Sequence, residues 1–359
     1  MSVVQLSKRV WQLNALNPGP FTLQGTNTYL VGTGLRRVLI DTGDGMQPLY
    51  ISNIKELLHK KVENARICAI LLTHHHPDHV GGLSNILKEK DILTEDFKIY
   101  TSNKSNEPNE YCDGQSKTGI FKKINDELDT VFLEKASVEY GLNNISTVAL
   151  NYESALKLEQ ILSEPNFLIT VEGASLYAVP TPGHSEDHVA FYLKEENTLF
   201  SGDCLLGKSS SIFNDLRKMI NSLTTMLNIN PKLIYPGHGP IIDSPKTEIS
   251  HNINHRIKRE TKIIDTIKNY QSKLALSLEN KQNNSSDPIQ TLSGNFDDPA
   301  SSIYIDFDEL FLQVYGSLNG ETLIRGAKYN LTNHLNKLET ENKVEFQIDS
   351  DGNKRCRLL

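Results

Sequence analysis

The segment at residues 73–79, with the sequence THHHPDH, limits what this chain can fold into more than any other feature. It offers lone pairs to a metal from four side chains: His74, His76, Asp78 and His79. Zinc in catalytic sites binds imidazole nitrogens and carboxylate oxygens and keeps one position open for water. Histidines two residues apart point to the same side of an extended chain, and a turn after Pro77 would aim Asp78 and His79 at a second metal. We expect His75 to face away.

Three further candidate ligands stand next to small residues where later strands are predicted to end. His184 follows the residues TPG, Asp203 follows SG, and His238 lies between two glycines. Small residues beside a ligand let the backbone approach a metal closely. Functional groups gather at the carboxyl ends of strands in open sheets. Seven candidate ligands recurring in this way predict a catalytic metal centre rather than scattered structural histidines.

The first 250 residues alternate apolar, β-branched runs with turn-rich segments, as expected of a domain built on sheets. The run at 67–72 leads directly into the histidine cluster. Further strands are predicted at 167–171, 174–180, 189–193, 198–201 and 233–235. Residues 103–165 differ, because Asn, Ser, Lys and Glu are frequent there and hydrophobic periodicity is poor. We expect these residues to form a surface insertion, partly helical and partly disordered.

The character of the chain changes after residue 250. Apolar residues at helical spacing predict a long amphipathic helix over 251–278, and a polar linker follows up to residue 302. Helices are then predicted at 306–315 and 321–339, with two short strands around a turn at 349–352. The chain is therefore divided into a catalytic domain (1–250), a helix and linker (251–302) and a winged-helix-like domain (303–359).

Composition sets further bounds. Hydrophobic residues make up 38% of the chain, and no apolar run approaches the ~20 residues that cross a bilayer, so we expect a soluble protein without a membrane partner. The net charge of −7 argues against broad attraction to nucleic acid. The four cysteines stand far apart and outside any C-x-x-C pair, which indicates reduced thiols.

The HxHxDH motif, together with the later TPGH, SGD and PGHG segments, resembles the metallo-β-lactamase superfamily. That resemblance implies an α/β fold, an αββα sandwich, that holds two Zn²⁺ per chain. It implies a first zinc bound by His74, His76 and His184, and a second bound by Asp78, His79 and His238. Asp203 would bridge the two, and Asp78 would also serve in catalysis by orienting the attacking hydroxide.

A longer stretch at residues 17–32 (NPGPFTLQGTNTYLVG) is similar to mitochondrial endoribonucleases in the glyoxalase II-like part of that superfamily, as are TPGHSEDH at 181–188 and YPGHGPII at 235–242. This implies single-stranded RNA as the substrate and the mitochondrial matrix as the location, with the cytosol as an alternative. An acid-poor start, with no Asp or Glu before Asp41, also suits a mitochondrial presequence.

Two other functions remain open. Fungal thioesterases that release polyketides resemble the chain through the same residues 17–32, so a thioesterase or glyoxalase II-like hydrolase is the alternative. Two zinc ions outweigh the charge of two carboxylates, and a positive site suits a phosphodiester and a thioester equally. A binding protein without catalysis is disfavoured, because all seven ligand positions are filled.

Two polar residues near the ligands have competing interpretations. Asp41, at the end of a predicted strand, could accept a hydrogen bond from a ligand histidine or merely cap a turn. His188 could contact substrate or donate a proton, or be a satisfied polar residue. Cys204 directly follows Asp203, and because neighbouring strand residues point to opposite faces we expect it to be buried rather than a ligand.

Lys354, Arg355 and Arg357 are the candidate RNA-binding residues of the C-terminal domain. Solvated surface charge is the alternative interpretation, because residues 251–359 contain 14 Lys or Arg against 15 Asp or Glu. A winged helix can also form a homodimer or cover the substrate groove, and the sequence leaves both roles open.

Overall fold

The computed structural model describes residues 2–102, 145–148, 155–163, 166–283, 303–348 and 354–359. The chain divides into two compact units, residues 1–250 and 251–359. The first unit contains all seven candidate metal ligands, and the second contains the candidate RNA-binding residues. Within the described ranges, no helix combines the length and the apolar character needed to cross a membrane.

Seven strands form the first sheet of the first unit, in the order β1 to β7. They are β1 Val3–Gln5, β2 Val10–Asn14, β3 Asn27–Val31, β4 Arg36–Ile40, β5 Arg66–Leu71, β6 Leu93–Ser102 and β7 Ile145–Val148. Strands β1 to β4 pair antiparallel, and β4 to β7 pair parallel. A parallel strand inside a sheet is covered on both faces, which explains why every residue of β5 after Arg66 is buried and apolar.

Five strands form the second sheet, in the order β12-β11-β10-β9-β8. They are β8 Phe167–Val171, β9 Ala174–Pro180, β10 Val189–Leu193, β11 Thr198–Gly202 and β12 Leu233–Pro236. Strands β8 to β11 pair antiparallel, whereas β11 and β12 pair parallel. Parallel pairing places the carboxyl ends of β11 and β12 at the same edge, so Asp203 and His238, which follow them, lie close together.

The two sheets pack face to face around a shared apolar core. Among the described residues, the α-helices of this unit are α1 Pro48–Glu56, α2 Pro77–Val80, α3 Leu83–Lys88, α4 Leu158–Ile161 and α5 Leu216–Ile229. Helices α1 and α3 bury Tyr50 and Ile86 on the outer side of the first sheet. On the second sheet, Ser222 of α5 donates to the carbonyl of Pro182, just beyond β9. Helix, sheet, sheet, helix is the layering that the resemblance to the metallo-β-lactamase superfamily implied, and that prediction is confirmed.

The second unit combines helices with a small sheet. Its elements are α6 Pro245–Asn283, which begins in the first unit, β13 Ile305–Asp306, α7 Phe307–Tyr315, α8 Glu321–Thr340, β14 Val344–Ile348 and β15 Lys354–Leu358. The strands are antiparallel, in the order β13-β15-β14. Ile267 of α6, Leu310 of α7 and Leu335 of α8 meet in one apolar cluster. Helix, helix, hairpin is the winged-helix-like order expected from the sequence.

Some predicted boundaries were wrong. Helix α6 extends beyond the predicted 251–278 at both ends, so residues 279–283 are helical rather than linker. Strand β7 lies inside the predicted surface insertion, yet it pairs with β6 and belongs to the first sheet. Leu156 and Ile161, from the same insertion, are buried. Three predictions fall wholly or largely outside the described residues. They are most of the surface insertion (103–144), the linker from 284 to 302 and the turn at 349–352.

Candidate metal centre

The THHHPDH segment connects strand β5 to helix α2. The chain is extended at His76, with φ −60° and ψ 142°, and α2 begins at the next residue. Proline suits the first position of a helix, where no amide hydrogen is needed. Pro77 therefore marks the change from extended chain to helix. His74 and His76 precede the helix, and Asp78 and His79 belong to the first turn of α2.

The other three ligands follow strands β9, β11 and β12 of the second sheet. The backbone beside Asp203 is tightly enclosed, because Gly202 has φ 48° and a Cβ built there would lie 2.6 Å from His188 Nε2. Glycine is needed at this position, since any side chain would collide. The segments together bring all seven predicted ligands into one site: His74, His76, Asp78, His79, His184, Asp203 and His238.

His74, His76 and His184 form what we call the first trio. His76 Nδ1 lies 3.0 Å from His74 Nε2 and 2.9 Å from His184 Nε2. Nitrogens around a tetrahedral zinc ion lie about 3.3 Å apart, so the trio fits a metal after a small expansion. Burial lowers the pKa of all three imidazoles. They are therefore neutral near pH 7, which is the form that binds a metal.

Asp78, His79 and His238 form the second trio. Asp78 Oδ2 lies 3.1 Å from His238 Nε2 and 3.3 Å from His79 Nε2. The two imidazole Nε2 atoms are themselves 3.4 Å apart. One oxygen and two nitrogens thus converge at distances that a single metal ion can span.

Asp203 stands between the trios. Its Oδ2 lies 3.6 Å from His184 Nε2 in the first trio, and its Oδ1 lies 3.3 Å from His238 Nε2 in the second. Oδ1 is buried and makes no hydrogen bond of good geometry with the described residues, its nearest polar neighbours being the Nε2 atoms of His238 and His79. A buried carboxylate oxygen without a well-aligned hydrogen bond is costly, and a bound cation removes that cost. The residues present therefore fit a metal ion on each side of Asp203.

Charge pairing keeps the carboxylates of the site ionised. Burial opposes a charge on Asp78 and Asp203, but the imidazoles of His79 and His238 outweigh it and hold the pKa of both carboxyl groups well below the usual range. Burial likewise opposes a proton on His238, yet Asp203 and Asp78 raise its pKa to about 10. A metal ion entering the second trio would take the place of these protons, so binding should release them.

Asp41 supports the second trio from behind, as one of its two sequence interpretations required. Its Oδ2 lies 2.8 Å from His79 Nδ1, and its Oδ1 accepts from the Thr73 amide at 2.8 Å. With Nδ1 donating to Asp41, Nε2 is the His79 nitrogen that faces the site, and it offers its lone pair to a metal once its proton is released. On the first trio, His184 Nδ1 donates to the Ile212 carbonyl at 2.8 Å in the same way.

His188 lies behind Asp203 rather than at the opening of the site. It is 1% exposed, its Nε2 accepts from the Asp203 amide at 3.0 Å, and its Nδ1 lies 2.8 Å from Thr181 Oγ1. Burial lowers the pKa of His188 to about 3. Both ring nitrogens are engaged with the protein, so this geometry favours support of the Asp203 backbone over the predicted contact with substrate.

The remaining candidates near the motif also have defined positions. His75 turns away from the trios, and its Nδ1 lies 2.8 Å from Asp187 Oδ1. Cys204 is buried, with its Sγ 3.8 Å from Met219 Sδ. Thr26 is a contact of the site that sequence reasoning missed, since its hydroxyl lies 3.0 Å from Asp78 Oδ2. The only sequence signal was its place within residues 17–32.

Lys354, Arg355 and Arg357 lie on strand β15 of the second unit. The guanidinium groups of Arg355 and Arg357 lie 5.0 and 5.1 Å from the ring centroid of Tyr304. Arg357 also pairs with Glu345 at 2.6 Å, whereas Arg355 has no ion-pair partner within the part of the chain that is described. Side chains alternate along a strand, so Lys354 belongs to the opposite face. The three cations do not form one cluster.

Known proteins resemble this chain in sequence and in fold. A family model described as metallo-beta-lactamase superfamily matches residues 21–238. The beta-lactamase-like protein 2 homolog of Caenorhabditis elegans is 36% identical over 75% of this chain and 74% of that protein. The Drosophila melanogaster homolog is 32% identical over 98% of this chain and 94% of that protein. The crystal structure of a beta-lactamase domain protein from Burkholderia ambifaria aligns with a TM-score of 0.64 and 15% identity over 99% of this chain and 93% of that one, which shows the shared fold.

Proposed function

The chain belongs to the metallo-beta-lactamase superfamily, and on that premise we propose that it is a dinuclear zinc endoribonuclease that cuts single-stranded RNA. The observation that carries the dinuclear part is the position of Asp203. One of its oxygens faces each trio, and the buried oxygen toward the second trio makes no hydrogen bond of good geometry with the described residues.

When bound, a pair of zinc ions supplies Lewis-acid activation of a water nucleophile and of the scissile oxygen. The protein side chains would position the two ions and the nucleophile. Asp203 fixes the spacing of the trios, and Asp41 fixes the tautomer of His79. Asp78 is the carboxylate with more exposure, at 24% of its side chain against 11% for Asp203. It therefore lies nearer the opening and is the residue suited to orient the nucleophile.

Charge favours an anionic substrate. Two Zn²⁺ and two carboxylates leave a positive centre, which would attract a phosphodiester and stabilise the charge that develops on its oxygens. The endoribonucleases that residues 17–32 resemble support RNA as that phosphodiester. Arg355, exposed on β15, supports a further phosphate contact. The mitochondrial location and the homodimer remain predictions.

A thioesterase is the second candidate. The observation in its favour is that residues 17–32, which resemble the endoribonucleases, resemble fungal thioesterases as well. Thr26 and Asn27 of this stretch lie directly against the site, so the resemblance concerns residues near the chemistry. A dinuclear centre can also polarise a thioester carbonyl.

One panel of assays separates the two. Purified protein is incubated with end-labelled single-stranded RNA, double-stranded RNA, single-stranded DNA and a generic thioester, each with and without chelator. We expect internal cuts in single-stranded RNA that chelator stops and added zinc restores. Rapid thioester hydrolysis without metal-dependent RNA cleavage would transfer the assignment to the thioesterase.

A further inference from the structure

Thr26 occupies a position that the metal-ligand set leaves unexplained. Its side chain is fully buried, and its hydroxyl lies 3.0 Å from Asp78 Oδ2. That oxygen is the one nearest to His79 Nε2 and His238 Nε2, so it is the atom that would face a metal in the second trio. The threonine therefore contacts the ligating atom itself.

The direction of this hydrogen bond is set by Asn17. The Asn17 side-chain amide donates to Thr26 Oγ1 at 3.0 Å, which occupies a lone pair of the hydroxyl oxygen. The Asn17 carbonyl oxygen accepts from the Thr26 amide at 2.8 Å, so both arms of Asn17 hold the residue. A carboxylate can only accept. The hydroxyl proton of Thr26 must therefore point at Asp78.

The same short segment also holds the other loop of the second trio. Thr26 and His238 form an isolated antiparallel bridge, and the Asn27 amide donates to the Gly237 carbonyl at 2.7 Å. The Asn27 side chain adds a hydrogen bond to the Gly239 carbonyl at 2.9 Å. Asp78 follows a strand of the first sheet and His238 follows a strand of the second, yet residues 26–27 contact both the Asp78 side chain and the loop around His238.

We propose that Thr26 is the positioning residue of the second metal site, with its hydroxyl fixing the rotation of the Asp78 carboxylate and Asn17 fixing the hydroxyl. This rests on the dinuclear centre of the proposed function and adds a determinant of its metal affinity. Hydrogen-bond partners of ligating groups typically contribute about 10- to 100-fold in metal affinity. Without the hydroxyl, Asp78 can rotate away from the position that it shares with His79 and His238.

The test measures metal retention and leaves activity aside. Wild type, Thr26→Val and Thr26→Ser are loaded with zinc, dialysed against a graded series of chelator concentrations and analysed for zinc per chain. Valine keeps the shape of threonine and removes the hydroxyl, whereas serine restores the hydroxyl. We expect Thr26→Val to lose one of its two zinc ions at a chelator concentration roughly 10- to 100-fold lower than wild type. The other ion should stay with the first trio, and Thr26→Ser should behave as wild type.

Thr28→Val is the matched control. Thr28 is also fully buried and its hydroxyl is bonded, to Tyr50 at 2.8 Å, but it contacts no candidate ligand. The Thr28→Val variant should be less stable than wild type but should keep both zinc ions equally well.

If Thr26→Val does not fold, Asn17→Ala tests the same chain of hydrogen bonds from a half-buried loop position. It should show a weaker selective loss of zinc from the second trio. Equal zinc retention in wild type and Thr26→Val, or equal loss in Thr26→Val and Thr28→Val, would overturn the inference while leaving the proposed function standing. Wild type without metal would overturn both.

Discussion

The Asp41 carboxylate accepts from His79 Nδ1 at 2.8 Å and from the backbone and hydroxyl of Thr73 at the same time. Thr73 directly precedes His74, so this one carboxylate supports the start of the ligand segment and a ligand of the second trio. Asp41 itself has φ 58°, in the left-handed region that Asp and Asn tolerate better than most residues.

Replacing Asp41 by Asn should weaken metal binding more than folding. Asparagine keeps the size and tolerates the backbone conformation, but it loses the charge that holds His79 in its metal-binding tautomer. We expect zinc affinity at the second trio to fall by about 10- to 100-fold, measured by competition with a chromophoric chelator. Unchanged affinity would mean that Asp41 serves the backbone of Thr73 alone.

Zinc content should depend on which ligand is removed. We expect about two zinc ions per wild-type chain, about one in His74→Ala, and fewer than one in Asp203→Ala, because only Asp203 faces both trios. Elemental analysis of gel-filtered protein provides the numbers, and an exposed variant such as Lys60→Gln is the control. A wild-type chain that carries no transition metal and stays active in chelator would contradict the metal centre altogether.

Asp78→Asn should abolish RNA cutting without unfolding the chain. Asparagine keeps the shape of the side chain but removes a negative charge and a metal-binding oxygen, so orientation of the nucleophile should fail. Time courses on end-labelled RNA should show at least a 100-fold loss of rate, while the circular dichroism spectrum stays as in wild type. Base-paired RNA should be cut more slowly than single strands, because a rigid A-form helix resists bending into a recessed site.

Neutralising the cations of β15 should weaken RNA binding if that strand holds the substrate. For Lys354→Gln, Arg355→Gln and Arg357→Gln together, the slope of log affinity against log salt should fall by up to about 2, at about 0.7 per phosphate contact. Arg355→Gln alone should account for more of this than Arg357→Gln, because Arg357 is already paired with Glu345. Filter binding at several salt concentrations measures the slope, and zinc content is the control. An unchanged slope excludes this strand from RNA binding.

Acid should destabilise the second unit through His334. Burial, helped by the cations of Arg256 and Arg259, lowers the pKa of His334 from about 6.5 to about 3. The folded state keeps this imidazole neutral while the unfolded state binds a proton, so the free energy of unfolding should fall as pH drops from about 6.5 toward 3, by up to ~1.4 kcal/mol per pH unit. Urea unfolding at pH 7 and pH 5 should show a smaller difference in His334→Gln than in wild type or in the exposed control His251→Gln.

The convergence of the seven candidate ligands was predictable because their residue types are rare in combination and each follows a predicted strand closely. The hydroxyl of Thr26 was not, because its importance depends on a loop that returns to Asp78 only in the folded chain. Strand β7 was missed because Ile145–Val148 is a short run inside a polar stretch, and it becomes a strand by pairing with β6. Helix α6 was drawn too short, although Pro245 suits a first helical position and helices extend cooperatively through polar residues.

The ligands come from the ends of two different sheets, and this has a mechanical consequence. A metal ion held jointly by them acts as a cross-link between the layers, in addition to their apolar packing and to hydrogen bonds such as that from the Tyr29 hydroxyl to the Pro236 carbonyl. Parting the layers at this end then requires release of the ion, and at free zinc 1,000-fold above its Kd the native state gains about 4 kcal/mol over the unfolded one. Chelation should therefore loosen the scaffold as well as stop the chemistry, and limited proteolysis of the stripped chain should begin at this edge.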